Sequence, residues 1–99
     1  HHMDRSLDIA VIRRWRTRDG SDAIVAAGMT AQGTLGAVRF LCDEACVDRL
    51  FRYLSPADYS RDQDDVEFMQ FDAVLGVPLR EGVVDAAEPT CILAGAPRD

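Results

Sequence analysis

Residues 34–54, TLGAVRFLCDEACVDRLFRYL, decide how the rest of this chain is read. In their second half Val47, Leu50, Phe51 and Leu54 recur at i, i+3, i+4 and i+7, the single apolar stripe of an amphipathic helix. Asp43 stands at the N-cap position, and Glu44 places negative charge at the positive end of the helix dipole. Asp48 and Arg52 lie four apart on the wet side. Ser55-Pro56 ends the helix, because the residue before proline avoids the helical region. Burying the four stripe residues contributes up to roughly 6–12 kcal/mol. In the first half, residues 35–42 read as a strand that runs straight into this helix.

Upstream, residues 7–16 and 22–30 read as two more strands. Arg18-Asp19-Gly20-Ser21 supplies a turn between them, and Gln32-Gly33 a weaker one before the third. The result is an antiparallel meander. Centring the first turn on Asp19-Gly20 sets Trp15 opposite Ile24 and Arg13 opposite Ala26. Centring the second on Gln32-Gly33 sets Ala26 opposite Arg39 and Gly28 opposite Ala37. One sheet face then carries Ala10, Ile12, Val25, Ala27, Met29, Val38, Phe40 and Cys42, and should lie under the helix. The other mixes Ile9, Val11, Trp15, Ile24, Leu35 and Leu41 with Arg13 and Arg39.

Downstream, residues 59–65 form a polar loop and residues 66–75 a fourth strand. Val77-Pro78-Leu79 is extended, with Pro78 suited to an edge or a break. Glu81-Gly82 is a turn into residues 83–85, and residues 91–94 form a last strand before a frayed tail from Gly95. The expected fold is α+β: an antiparallel sheet of about five strands in βββ-α-ββ order, with one main amphipathic helix packed on one face. Residues 1–2 read as an affinity-tag remnant, 3–95 as one domain and 96–99 as tail.

Ninety-nine residues at 47% hydrophobic suit a single folded domain. No apolar run is long enough to span a membrane, and no signal peptide opens the chain. The formal charge of −6 disfavours nucleic acid and anionic membranes as partners. Every one of the eleven basic residues is Arg, and Asn is missing too. Lys and Asn codons both begin AA, so this composition points to a GC-rich, bacterial genome. Three cysteines with no secretion signal point to free thiols in the cytoplasm.

The motifs carry little chemistry. Cys42, Cys46 and Cys91 fall short of a zinc set once the tag histidines are discounted, and they read as small hydrophobes of the core. Asp62-x-Asp64-Asp65-x-Glu67 fails the EF-hand pattern at Val66, Glu67 and Ala73. No metal or other cofactor is expected. Arg13-Arg14-Trp15-Arg16 resembles a stacking and phosphate-binding run, but alternation sends Arg14 and Arg16 away from Arg13 and Trp15.

The most specific constellation is Arg13, Trp15 and Arg39 around the small Ala26 and Gly28, a shallow positive concavity for an anionic or apolar small ligand. The competing reading pairs these Arg with Asp64, Asp65 or Glu67 as the chain returns in the fourth strand. The leading expectation is a binding module, homo-oligomeric and most simply dimeric, that uses this mixed sheet face. The alternatives are a small cofactor-independent lyase, isomerase or hydrolase using Arg, Asp and Tyr, and an acidic inhibitor or antitoxin-like protein presenting residues 58–67.

Overall fold

The computed structural model describes residues 5–54, 70–85 and 88–97. The chain runs β1 (Arg5–Arg16), β2 (Asp22–Gly28), α1 (Ala31–Leu41), α2 (Glu44–Leu54), β3 (Phe71–Arg80), β4 (Val83–Val84) and β5 (Cys91–Pro97). The fold is α+β, with both helices on an antiparallel five-stranded sheet ordered β2-β1-β3-β4 and with β5 also paired to β3. None of the described helices is long and apolar enough to cross a membrane.

The strand expected over residues 35–42 is instead helix α1, so the order is ββ-αα-βββ and β3 takes the place beside β1. The reason is tertiary. Gly33, Gly36, Ala37 and Phe40, at i, i+3, i+4 and i+7, form the buried face of α1. A Cβ at Gly33 would collide with the Asp8 carboxylate of β1, and one at Gly36 with the Val77 side chain of β3. The two glycines that looked like turn and strand residues are therefore the flat side on which the helix meets the sheet. Thr30 caps it in extended conformation, its hydroxyl accepting from Gly33 N at 3.2 Å. Asp8, only 6% exposed, accepts from both the amide (3.1 Å) and the hydroxyl (3.0 Å) of Thr30. A buried carboxylate is tolerable here because donors at a helix N-terminus satisfy it.

The first turn is longer by one residue than expected. Thr17 N donates to Ser21 O at 2.9 Å, leaving Arg18, Asp19 and Gly20 as the loop, with Gly20 at φ +85°. Trp15 consequently pairs with Ala23, and Arg13 with Val25 rather than Ala26. A slip of one residue turns every β2 side chain to the other face. Ile24 and Ala26 thus lie on the helix side, and Val25 and Ala27 on the open side.

Elsewhere the pattern is as read. Asp43 caps α2 by accepting from Ala45 N (2.9 Å) and Cys46 N (3.2 Å). Glu81 and Gly82, at φ 54° and 80°, make a tight turn of the mirror-image type. Pro78 falls where the outer partner of β3 changes from β5 to β4, so its missing N–H breaks no continuous ladder. Of the strand expected over residues 66–75, residues 66–69 lie outside the described residues and 71–75 fall in β3, which runs on to Arg80; β5 continues through Pro97 where a frayed tail was expected. The core lies between the helices and alternate residues of the central strands: Ala10 and Ile12 of β1, Ala73, Leu75 and Val77 of β3, and Phe40, Leu50 and Leu54 above them. Phe51 meets Phe71 edge-on, with ring centroids 5.9 Å apart.

Two outcomes follow. Gly33→Ala should lower the unfolding free energy by about 1–3 kcal/mol, since the added methyl displaces Asp8 or lifts α1; urea unfolding reads this as a lower midpoint at unchanged slope. In the turn, hydrogen bonds from Thr17 first, then Ser21, hold the Asp19 carboxyl at about 2, below its ordinary 3.8. The ionised form is favoured in the folded turn, so its support is complete above about pH 4 and is lost as pH falls toward 2. An NMR titration should show the Ser21 amide shifting in that window.

Candidate functional site

Both helices pack on one face of the sheet, and among the described residues nothing covers the other. Alternation along β1 sends Leu7, Ile9, Val11, Arg13 and Trp15 to this open face. Register adds Val25 and Ala27 from β2 and Asp72, Val74 and Gly76 from β3. Leu7, Val11 and Val25 are each about half exposed, at 51%, 45% and 49%. Leu7 and Cys91 close over Gly76, where a Cβ would stand 2.9 Å from Cys91 Sγ and 3.1 Å from Leu7 Cδ2.

Away from the strand ends, the charged residues of this face are Arg13 and Asp72, which are register partners. Arg13 Nε donates to Asp72 Oδ1 at 2.8 Å. So exposed a pair contributes at most about 1 kcal/mol to stability. Its larger effect is to cancel charge in the middle of an apolar surface. An acidic partner in the returning strand was the competing expectation for Arg13. The partner is Asp72, whereas the expected partners Asp64, Asp65 and Glu67 lie outside the described residues.

Arg39 does not join this group. It sits exposed in the last turn of α1, on the helix side of the sheet, whereas Arg13 and Trp15 lie on the open side. The concavity drawn from a three-stranded meander is therefore not formed. Arg39 instead lines a cleft of about 320 Å³ with Asp43, Cys46, Asp85, Glu88 and Thr90. Asp85 is 9% exposed there. The Asp43 carboxylate is committed to the α2 cap. Arg49 spans this side of the molecule, donating to Thr90 O at 3.0 Å with its guanidinium 5.8 Å from the Phe40 ring centre.

A second hollow, of about 430 Å³, lies between α2 and the end of the sheet. Leu41, Val47, Leu50, Phe51 and Phe71 line it, with Arg14 and Asp22 at its edge. Those two hold each other through bonds of 3.2 and 2.8 Å. The hollow thus offers apolar surface and an already neutralised cation.

The cysteines are less buried than the sequence implied. Cys42 and Cys91 are exposed, and only Cys46 packs partly against the core. Burial, then the Asp43 carboxylate, pushes the Cys46 thiol above its usual range despite Arg49 nearby. A raised pKa lowers the thiolate fraction on which nucleophilic attack by Cys46 would depend. Among the described residues no three or more His, Cys, Asp or Glu are placed to hold a metal ion.

No family model, no curated protein and no solved structure matches this chain. Sequence reasoning found Ile9, Val11, Arg13 and Trp15 by alternation. It missed Val25, through the turn slip, and the Arg13–Asp72 pairing, although the spacing of Asp72, Val74 and Gly76 marks one face of a strand.

The thiols should separate by rate. At pH 7.5, iodoacetamide labelling followed by peptide mass mapping should modify Cys42 and Cys91 at least tenfold faster than Cys46. Equal rates would contradict a raised Cys46 pKa.

Proposed function

We propose that this protein is a non-enzymatic interaction module that self-associates through its open sheet face. The observation that carries this reading is a sheet face that nothing covers among the described residues, on which β1, β2 and β3 present Leu7, Ile9, Val11, Val25 and Val74, with Arg13 and Asp72 neutralising one another. Exposed apolar surface of this extent marks contact surfaces. A second copy suits it well. Under a two-fold axis, a face with one cation beside one anion is self-complementary, because each charge of one copy can meet its opposite on the other.

Arg13 and Trp15 enter this reading as residues of the contact face. Trp15 is the kind of large, partly buried side chain that anchors such contacts. Arg39 falls outside it. The enzymatic alternative needs Arg, Asp and Tyr in one pocket, and the expected residues do not share one. The acidic-segment alternative concerns residues 58–67, which lie outside the described residues.

Sedimentation velocity between 1 and 100 µM tests the proposal. The wild-type protein should exceed monomer mass, and Val11→Asp should remove one association step, weakening it at least tenfold while circular dichroism stays native. Trp15 emission should shift to longer wavelength on dilution through the same transition. A Val11→Asp protein that sediments like wild type at every concentration would refute the open face as the contact.

A further inference from the structure

The two edges of the sheet are built differently. The β5 edge carries a bulge at Leu93, between the Val74–Ala94 and Leu75–Ile92 pairs, and ends on Pro97. Bulges and proline are devices that blunt an edge against further pairing. The β2 edge, DAIVAAG, has neither, and its one charge, Asp22, is held by Arg14.

The backbone of β2 shows which groups face outward. Thr17 N donates to Ser21 O, and Met29 N donates to Ile9 O. Bonded pairs alternate with unbonded ones in an antiparallel ladder. Odd-numbered residues of β2 therefore turn their N–H and C=O toward β1, and Asp22, Ile24, Ala26 and Gly28 turn theirs outward. Gly28 agrees: its N–H donates to Thr34 Oγ1 at 2.8 Å, which closes that end of the edge. Among the described residues no strand pairs with the groups of Asp22, Ile24 and Ala26. Above them runs a row of α1. Thr34 marks its place through Gly28, Val38 follows at i+4, and Leu41 at i+7 shares the hollow with Ile24. Val38 and Ile24 are 44% and 50% exposed.

We infer that β2 is a second self-association surface, pairing antiparallel with β2 of another copy across a two-fold axis and continuing the sheet from one protomer into the next. A pairing centred on Ile24 uses every open group: Ile24 meets Ile24, and Asp22 meets Ala26 in both directions, each pair exchanging N–H···O=C bonds. It also keeps the two Asp22 carboxylates from facing each other. The occupant is a second copy rather than an extended peptide because the edge is flanked by exposed Val38. A bare strand leaves that side chain in water, whereas a second copy brings its own α1 against it. The contact uses an edge and not the open face, so it stands independently of the proposal above.

The test uses the Val11→Asp protein, in which the open face is disabled. Ala26→Pro then removes an outward N–H without touching the β1 ladder, and Ile24→Lys places charge at the seam. Val11→Asp alone should still be a dimer at 100 µM. Adding either edge change should weaken that dimer at least tenfold, with melting curves confirming a folded chain. Two variants are used so that misfolding of one leaves the other informative. In the wild-type oligomer the Ile24 and Ala26 amides should exchange with deuterium at least tenfold more slowly than in the dissociated protein. A monomeric Val11→Asp protein, edge variants that remain fully dimeric, or amides at 24 and 26 that exchange equally fast in both states would each overturn the inference.

Discussion

The close seating of α1 on the sheet is the constraint on which the rest of the structure depends. It needs two glycines on one helix face and a carboxylate beneath the helix start. Gly33 and Gly36 let the helix backbone approach β1 and β3, and Asp8 binds Thr30 at the point where the chain leaves β2 and turns into α1. Once that contact is made, the third sheet position is closed to the segment after β2. The chain must continue as helix, and β3 arrives later to pair along most of β1. The Gln32 side chain, accepting from Val84 N at 3.0 Å, ties the same helix to β4 at the far side.

With both helices on one face, the described residues form two layers and leave the other face of the sheet without a covering element. The consequences are chemical as well as architectural. The buried polar groups are accounted for: no buried side-chain nitrogen or oxygen among the described residues lacks a hydrogen-bond partner. Such satisfied groups hold structure. Among the described residues two surfaces stand out: an apolar face whose central charges cancel, and a strand edge to which no further strand is paired. Both are features of association.

The sequence by itself determined the α+β class, helix α2 with its Asp43 cap, the strand character of β1 and β2, and the Glu81-Gly82 turn. Each depends on local signals, such as a helical stripe, an acidic cap or residues that tolerate positive φ, and these act over a few residues regardless of the rest of the chain. The open-face members Ile9, Val11, Arg13 and Trp15 were legible for the same reason, since alternation along one strand is local. Only the tertiary structure decided two things. The first was that residues 31–41 are helical, because glycines that weaken a helix in isolation are required when the helix presses on a sheet. The second was the register of β2, because a loop of three residues rather than two is set by hydrogen bonds among Thr17, Asp19 and Ser21. Those two decisions moved Arg39 to the other side of the sheet and exchanged Ile24 for Val25 on the open face, since side chains in a strand alternate and a single step of slip reverses which way each one points.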